Sequence, residues 1–202
     1  MSLTDTPALS LPSKSLLDLI GKTPMVEVTK LDTGQCRLLL KLENQNPGGS
    51  IKDRIALTMI EVAEKEGWLK PGGTIVEATA GNTGLALTLV GKQKGYNVLL
   101  VIPDKMSKEK IQHLRAMGAD VRLTRSDVPH GHPEYYTDMA ERLAQQIPGS
   151  YYVNQFANDA NSEAHFKSTG PEIWAQTGGN VDAFVAGIGS GGTITGIARY
   201  LK

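Results

Sequence analysis

Three glycine-bearing segments carry residue types that could do chemistry. The first is Gly187-Ile188-Gly189-Ser190-Gly191-Gly192-Thr193. Between a strand and a helix, such a run lets backbone N–H groups converge on one point, and the helix N-terminus adds a dipole that favours an anion. With the Thr193 hydroxyl added, a phosphate is the natural guest; a tight turn without a ligand is the plainer reading. The run also matches G-x-G-x-x-G through Gly187, Gly189 and Gly192. That dinucleotide fingerprint requires an acidic residue ~20 positions further on, which this sequence does not supply. A serine-nucleophile elbow fails because Ile188 stands where G-x-S-x-G needs glycine.

The second segment is Asn46-Pro47-Gly48-Gly49-Ser50-Ile51-Lys52-Asp53-Arg54. A lysine just inside a helix start sits in a field that repels cations and lowers its pKa, which suits an amine that must attack an aldehyde. The third, Thr79-Ala80-Gly81-Asn82-Thr83-Gly84, offers hydroxyls, an amide and free N–H groups for a carboxylate. Read singly, Lys52 is as readily an exposed lysine and the third loop an N-cap with its turn. Three such loops on one α/β scaffold, where strand ends gather ligands, together suggest pyridoxal phosphate and an amino-acid substrate.

The surrounding pattern supplies that scaffold. Residues 74–78 read as a strand, 85–94 as a helix ended by Gly95, and 97–102 as the next strand. Ser107 caps a helix running to Gly118, and residues 121–124 form another strand. Tyr136, Ala140, Leu143 and Ile147 make one helical face that Pro148-Gly149 stops. Short strands are expected at 25–29, 37–42, 151–153 and 181–186, with helices after Ser50, near Pro171 and from Thr193. Strands alternating with helices mean an α/β fold with parallel pairing. A strand at 181–186 followed by one helix has no later partner, so the chain is expected to stop mid-domain.

Charge and composition exclude other classes. The 202 residues carry 21 Lys+Arg against 21 Asp+Glu, a balance unlike that of nucleic-acid or membrane-surface proteins. No apolar run is long enough to span a bilayer, and the first dozen residues lack the basic start and apolar block expected of a signal peptide. One cysteine, Cys36, excludes an internal disulfide; it reads as inert in an apolar strand, and a cytoplasmic setting is expected. His130-Gly131-His132 lacks a third ligand, so no metal is expected. His113 and His165 read as ordinary residues, and Trp68 and Trp174 as packing anchors.

Several of these residues carry a family resemblance. Ile20-Gly21-Lys22-Thr23-Pro24, Lys41-Leu42-Glu43, Ser50-Ile51-Lys52-Asp53-Arg54, Gly81-Asn82-Thr83-Gly84 and Gly189-Ser190-Gly191-Gly192-Thr193 resemble the cysteine synthase/cystathionine β-synthase family of fold-type II pyridoxal-phosphate enzymes. The resemblance implies roles. Lys52 would bond the cofactor and shuttle the α-proton, Asn82 would meet its 3′-oxygen, and Gly189, Ser190, Gly191, Gly192 and Thr193 would hold its phosphate. Thr79, Gly81, Thr83 and Gln155 would grip the substrate carboxylate. Residues 103–110, 114–119 and 132–134 look more like cystathionine β-synthases, which implies serine condensing with homocysteine through an aminoacrylate. Cysteine synthase, acting on O-acetylserine and sulfide, is the near alternative, and a dinucleotide-binding oxidoreductase or an inactive fragment the distant one. The resemblance further implies a homodimer with no haem. It divides the chain into a mobile stretch at 1–13, a cofactor domain at 14–84, a small substrate-side domain at 85–150 and a return into the cofactor domain at 151–202.

Overall fold

Residues 98–102 are five consecutive apolar side chains, all buried, and a strand buried on both faces belongs at the centre of a parallel sheet. The computed structural model, which describes residues 12–202, places them there. Most of the expected mobile stretch, residues 1–11, lies outside the described residues. Strand β1 (Met25–Glu27) pairs antiparallel with β2 (Leu39–Lys41) in a two-stranded ribbon. Helix α1 (Lys52–Lys65) follows. Then β3 (Thr74–Ala78), α2 (Asn82–Gln93), β4 (Asn97–Pro103), α3 (Lys108–Ala116), β5 (Asp120–Thr124), α4 (Tyr136–Gln146) and β6 (Ser150–Tyr152) alternate as expected. The four later strands form one parallel sheet in the order β5-β4-β3-β6. After it come α5 (Ala160–Ala164), a π-helical turn at His165–Thr169, α6 (Gly170–Gln176) and α7 (Gly192–Leu201).

Each face of the sheet has its own apolar layer. Ile55, Met59, Ile60 and Ala63 of α1 pack with Leu87 and Val90 of α2, Leu114 of α3 and the Ile75, Val98, Leu100 and Ile102 side of the strands. The opposite side, Val76, Ala78, Leu99 and Val101, meets Ala140, Leu143 and Tyr136 of α4. That is the period-2 alternation of strands meeting the period-3.6 stripe of helices. Ser107 caps α3 as expected, its Oγ accepting from the Lys110 N–H at 3.4 Å.

Four expectations are corrected. Residues 181–186 are not a strand: among the described residues no strand pairs with them, and Val185 is 91% exposed. Extended backbone without a ladder partner satisfies its polar groups with solvent rather than with a sheet. Residues 37–38 fall outside β2: the registered pairs with β1 end at Glu27–Leu39, beyond which only the Val28 N–H still donates to the Leu38 carbonyl at 2.9 Å and the exposed Arg37 side chain pairs with Glu27. Cys36 accordingly lies outside any strand and is exposed. Trp68 and Trp174 are 57% and 44% exposed rather than buried anchors, Trp68 lying over the Tyr151 ring at 6.1 Å.

The first turn of α1 is fastened by a buried charge. Arg54 donates from Nε and Nη2 to Glu43 at 2.7 and 2.8 Å, and from Nη1 and Nη2 to Glu172 at 2.7 Å each. Lys41 Nζ donates to the same Glu172 at 2.6 Å, and the Lys22 N–H at 2.8 Å. Burial pushes the Glu172 carboxyl up, but these donors outweigh it and hold its pKa down to about 2. The guanidinium therefore ties the segment before β1, β2, α1 and α6 together two residues from Lys52. Arg54→Met leaves Glu43 without its cation and Glu172 with Lys41 alone, and should cost about 3–5 kcal/mol in urea unfolding. In the parent chain a folded pKa below the unfolded one means stability from Glu172 is present above ~4.5 and lost as pH falls toward about 2, and the variant should lose most of that slope.

Candidate active site

The strand order places a crevice. The path β3, β4, β5 runs one way from β3, and β6 returns to its other side, so the chain reverses direction between β3 and β6. In open α/β sheets, ligands bind outside the carboxyl ends of strands at such a switch point. The loop after β3 holds Thr79 and Gly81 and leads into Asn82 and Thr83 at the start of α2, and the loop after β6 holds Gln155.

The structure joins these loops. Thr83 Oγ1 donates to Gln155 Oε1 at 2.7 Å, and both side chains are buried. The Gln155 N–H donates to Glu77 Oε2 at 3.1 Å, and its carbonyl accepts from Asn161 Nδ2 at 2.8 Å. That same Nδ2 donates to Ser190 Oγ at 2.9 Å. One unbroken hydrogen-bonded run therefore leads from the expected carboxylate loop to the expected phosphate loop, across 72 residues of chain at its first step. Gly192 has to be glycine here, because any Cβ would run into the Asn161 side-chain oxygen.

Gly191 caps α7 at φ +81°, a left-handed conformation that glycine adopts without strain. The first amides of α7 have no intrahelical acceptor, and no acidic residue stands in its first turn. Thr193 Oγ1 lies 3.1 Å from His165 Nε2. A cavity of about 210 Å³ opens among Gln155, Phe156, Asn161, Ser190, Gly191 and Gly192.

Lys52 begins α1 and is half-buried. Its pKa is lowered, as expected, and burial of the amine is the cause. Its charge reaches His165, where burial first, then Arg54 and Lys52, hold the imidazole down to about 4 against the pull of Glu43. Thr79 Oγ1 accepts from the Gly81 N–H at 3.1 Å. Asn82 is exposed at the first position of α2, and among the described residues its side chain bonds no protein group. Lys52 Nζ and Asn82 are thus uncommitted, whereas Thr83, Gln155 and Ser190 are interlocked. Among the described residues no cluster of His, Cys, Asp or Glu could hold a metal.

A model of the pyridoxal-phosphate dependent enzyme family matches residues 16–202. The chain belongs to that family. Its cofactor is accordingly pyridoxal phosphate, and free amides, two hydroxyls and a half-buried amine of lowered pKa are a donor set that suits such a phosphorylated aldehyde. The chain is 48% identical over 192 residues to cysteine synthase 1 of Neurospora crassa, covering 94% of this chain and 50% of that protein. It is also 48% identical over 190 residues to cystathionine beta-synthase of Oryctolagus cuniculus, covering 93% of this chain and 34% of that one. The chain thus spans half or less of the length of these relatives. A hydrogen sulfide-producing enzyme from Fusobacterium nucleatum superposes with a TM-score of 0.88 at 42% identity, covering 97% of this chain and 63% of that one. O-ureido-L-serine synthase does so with 0.88 at 38%, covering 95% and 60%. No helix among the described residues of this family member is long and apolar enough to cross a membrane.

Glu77, Asn161 and His165 were not singled out by residue type. The signal for Glu77 was present: a carboxylate inside a strand of otherwise apolar and β-branched residues. It is 1% exposed, and burial raises its pKa to about 7 although the Ala78 and Gln155 N–H groups pull the other way. A folded pKa above the unfolded one means that stability from Glu77 is complete below ~4.5 and is lost as pH rises through about 7. Glu77→Gln should flatten that fall when chemical denaturation is compared at pH 5 and 7.5.

Proposed function

We propose that the chain holds pyridoxal phosphate between Lys52 and residues 189–193 and catalyses β-replacement on serine, condensing it with homocysteine to cystathionine and water. The observation that supports this reading is the hydrogen-bonded run Thr83–Gln155–Asn161–Ser190, which joins the loop read as a carboxylate grip to the loop read as the phosphate site. Bound at this site, the cofactor supplies an electron sink that acidifies the substrate's α-carbon.

The protein's own residues do the rest. Thr83 occupies Gln155 Oε1, so the two Nε2 protons of Gln155 remain for a substrate carboxylate. The Thr79 hydroxyl and the N–H groups around Gly81 add further donors at the start of α2. Lys52, its pKa lowered by burial, takes the α-proton and returns it to product. Asn82, exposed at the start of α2, would meet the cofactor's 3′-oxygen, and Gly189, Ser190, Gly191, Gly192 and Thr193 would hold its phosphate. By the family resemblance the enzyme works as a homodimer, and its single cysteine suits a reducing, cytoplasmic setting.

Relatives named cysteine synthase and relatives named cystathionine beta-synthase are equally identical to the chain, so a second reading, O-acetylserine plus sulfide giving cysteine and acetate, stands beside the first. Turnover of the two substrate pairs by the holoenzyme separates them: cystathionine formed in excess supports the first, and cysteine alone overturns it. Lys52→Ala should lower turnover about 10²–10⁴-fold for either pair. Thr83→Val frees Gln155 and should raise the KM of the amino-acid donor about tenfold while changing kcat less.

A further inference from the structure

His165 is fully buried in the π-helical turn between α5 and α6 and touches two hydroxyls. Its Nδ1 lies 2.9 Å from Thr169 Oγ1, four residues on, and its Nε2 lies 3.1 Å from Thr193 Oγ1, in the first turn of α7. The geometry is set by close packing. A Cβ on Gly196 of α7 would come within 2.7 Å of the His165 Cβ, so only glycine lets α7 settle this deeply against the turn. Single π turns are frequent where a helix must aim a side chain at a functional site.

A neutral imidazole has one N–H and one lone pair, and each hydroxyl has one proton to give. Two arrangements are open. In one, Nδ1–H donates to Thr169, and Thr193 donates its proton to Nε2. Thr169, which is 1% exposed and has no other side-chain hydrogen bond among the described residues, then keeps a buried proton without an acceptor. Thr193 would also present only lone pairs to the glycine loop. In the other, Thr169 donates to Nδ1, Nε2–H donates to Thr193, and the Thr193 proton is left to point into the loop. Both ring nitrogens and the Thr169 proton are then satisfied.

We infer that His165 is a positioning residue for the cofactor phosphate: held as the Nε2–H tautomer, it donates to Thr193 and so turns the Thr193 hydroxyl into a donor toward the anion. The inference rests on the reading of residues 189–193 as the phosphate loop. His165 fixes which way the Thr193 proton faces, beside backbone amides that cannot turn and a Ser190 hydroxyl that already accepts from Asn161. Burial, with Arg54 and Lys52 of α1 adding their charges, keeps the ring neutral, and Glu43 is the one facing group that opposes them. An imidazolium would donate from both nitrogens and leave the Thr169 proton unmatched again.

The test combines a spectrum with two ligands. Nitrogen-15 NMR of the holoenzyme should show His165 protonated at Nε2 alone; protonation at Nδ1, or at both nitrogens, overturns the inference. Affinities are then measured for pyridoxal 5′-phosphate and for pyridoxal, which lacks the phosphate. His165→Phe should weaken the first about tenfold and leave the second unchanged. His165→Gln, whose amide nitrogen can stand in for Nε2, should restore most of the loss. Equal weakening for both ligands marks a merely structural role and overturns the inference, as does His165→Gln behaving like His165→Phe. Should His165→Phe fail to fold, the tautomer and the glutamine variant decide alone. A wild-type protein that takes up neither ligand overturns the proposed function, and this inference with it; an Nδ1–H ring in a protein that does bind the cofactor overturns this inference only.

Discussion

The amide of Asn161 donates to the Gln155 carbonyl and to the Ser190 hydroxyl at once, and the site depends on that pairing. Gln155 follows β6 at the switch point of the sheet, whereas Ser190 precedes α7, which belongs to no strand of that sheet. Only a short, buried side chain with two amide protons can hold both at this separation. The cost is visible: Asn161 Oδ1 is buried without a partner, jammed against Gly192. A buried acceptor left unmatched opposes folding, so the arrangement persists because the surrounding contacts over-determine it. Two loops remote in sequence are thereby set rigidly beside each other before any ligand arrives, which is what preorganisation requires.

Charge burial performs the complementary task at the other side of the site. Arg54 lies 2% exposed between Glu43 and Glu172, and its hydrogen bonds hold the start of α1, and with it Lys52, to the turn after β2 and to α6. Such a network is weak evidence for net stability, because desolvation offsets most of the Coulomb gain. Its stronger consequence is specificity: an α1 shifted by one turn would strand two carboxylates in the interior. Lys52 itself escapes pairing. Among the described residues it has no anionic partner, and burial alone shifts it toward the neutral amine. The protein thus keeps one cation locked and leaves its neighbour free to react.

Much of this was legible in the residues. The alternation from β3 to β6 was readable because β3 and β4 are short, largely apolar runs and the helices repeat their apolar positions, as Tyr136, Ala140 and Leu143 do. The glycine-rich loops were legible because few other roles call for that composition at a strand end. Local pattern failed where the outcome depends on partners distant in the chain. Residues 181–186 have strand composition, but a strand exists only with a neighbour. Trp68 and Trp174 have the bulk of core residues, yet both lie at the protein surface. Asn161 and His165 were invisible for the same reason: their importance lies in bonds to residues 29 and 28 positions away, which no spacing rule encodes.

The central claim, that Lys52 is the amine facing the cofactor's aldehyde, is tested most directly by chemical trapping. Protein incubated with pyridoxal phosphate is reduced with sodium borohydride, digested, and its peptides mapped by mass. The account predicts a single phosphopyridoxyl group, on Lys52, that disappears when Lys52 is replaced. A label on another lysine, or none on any, would contradict it.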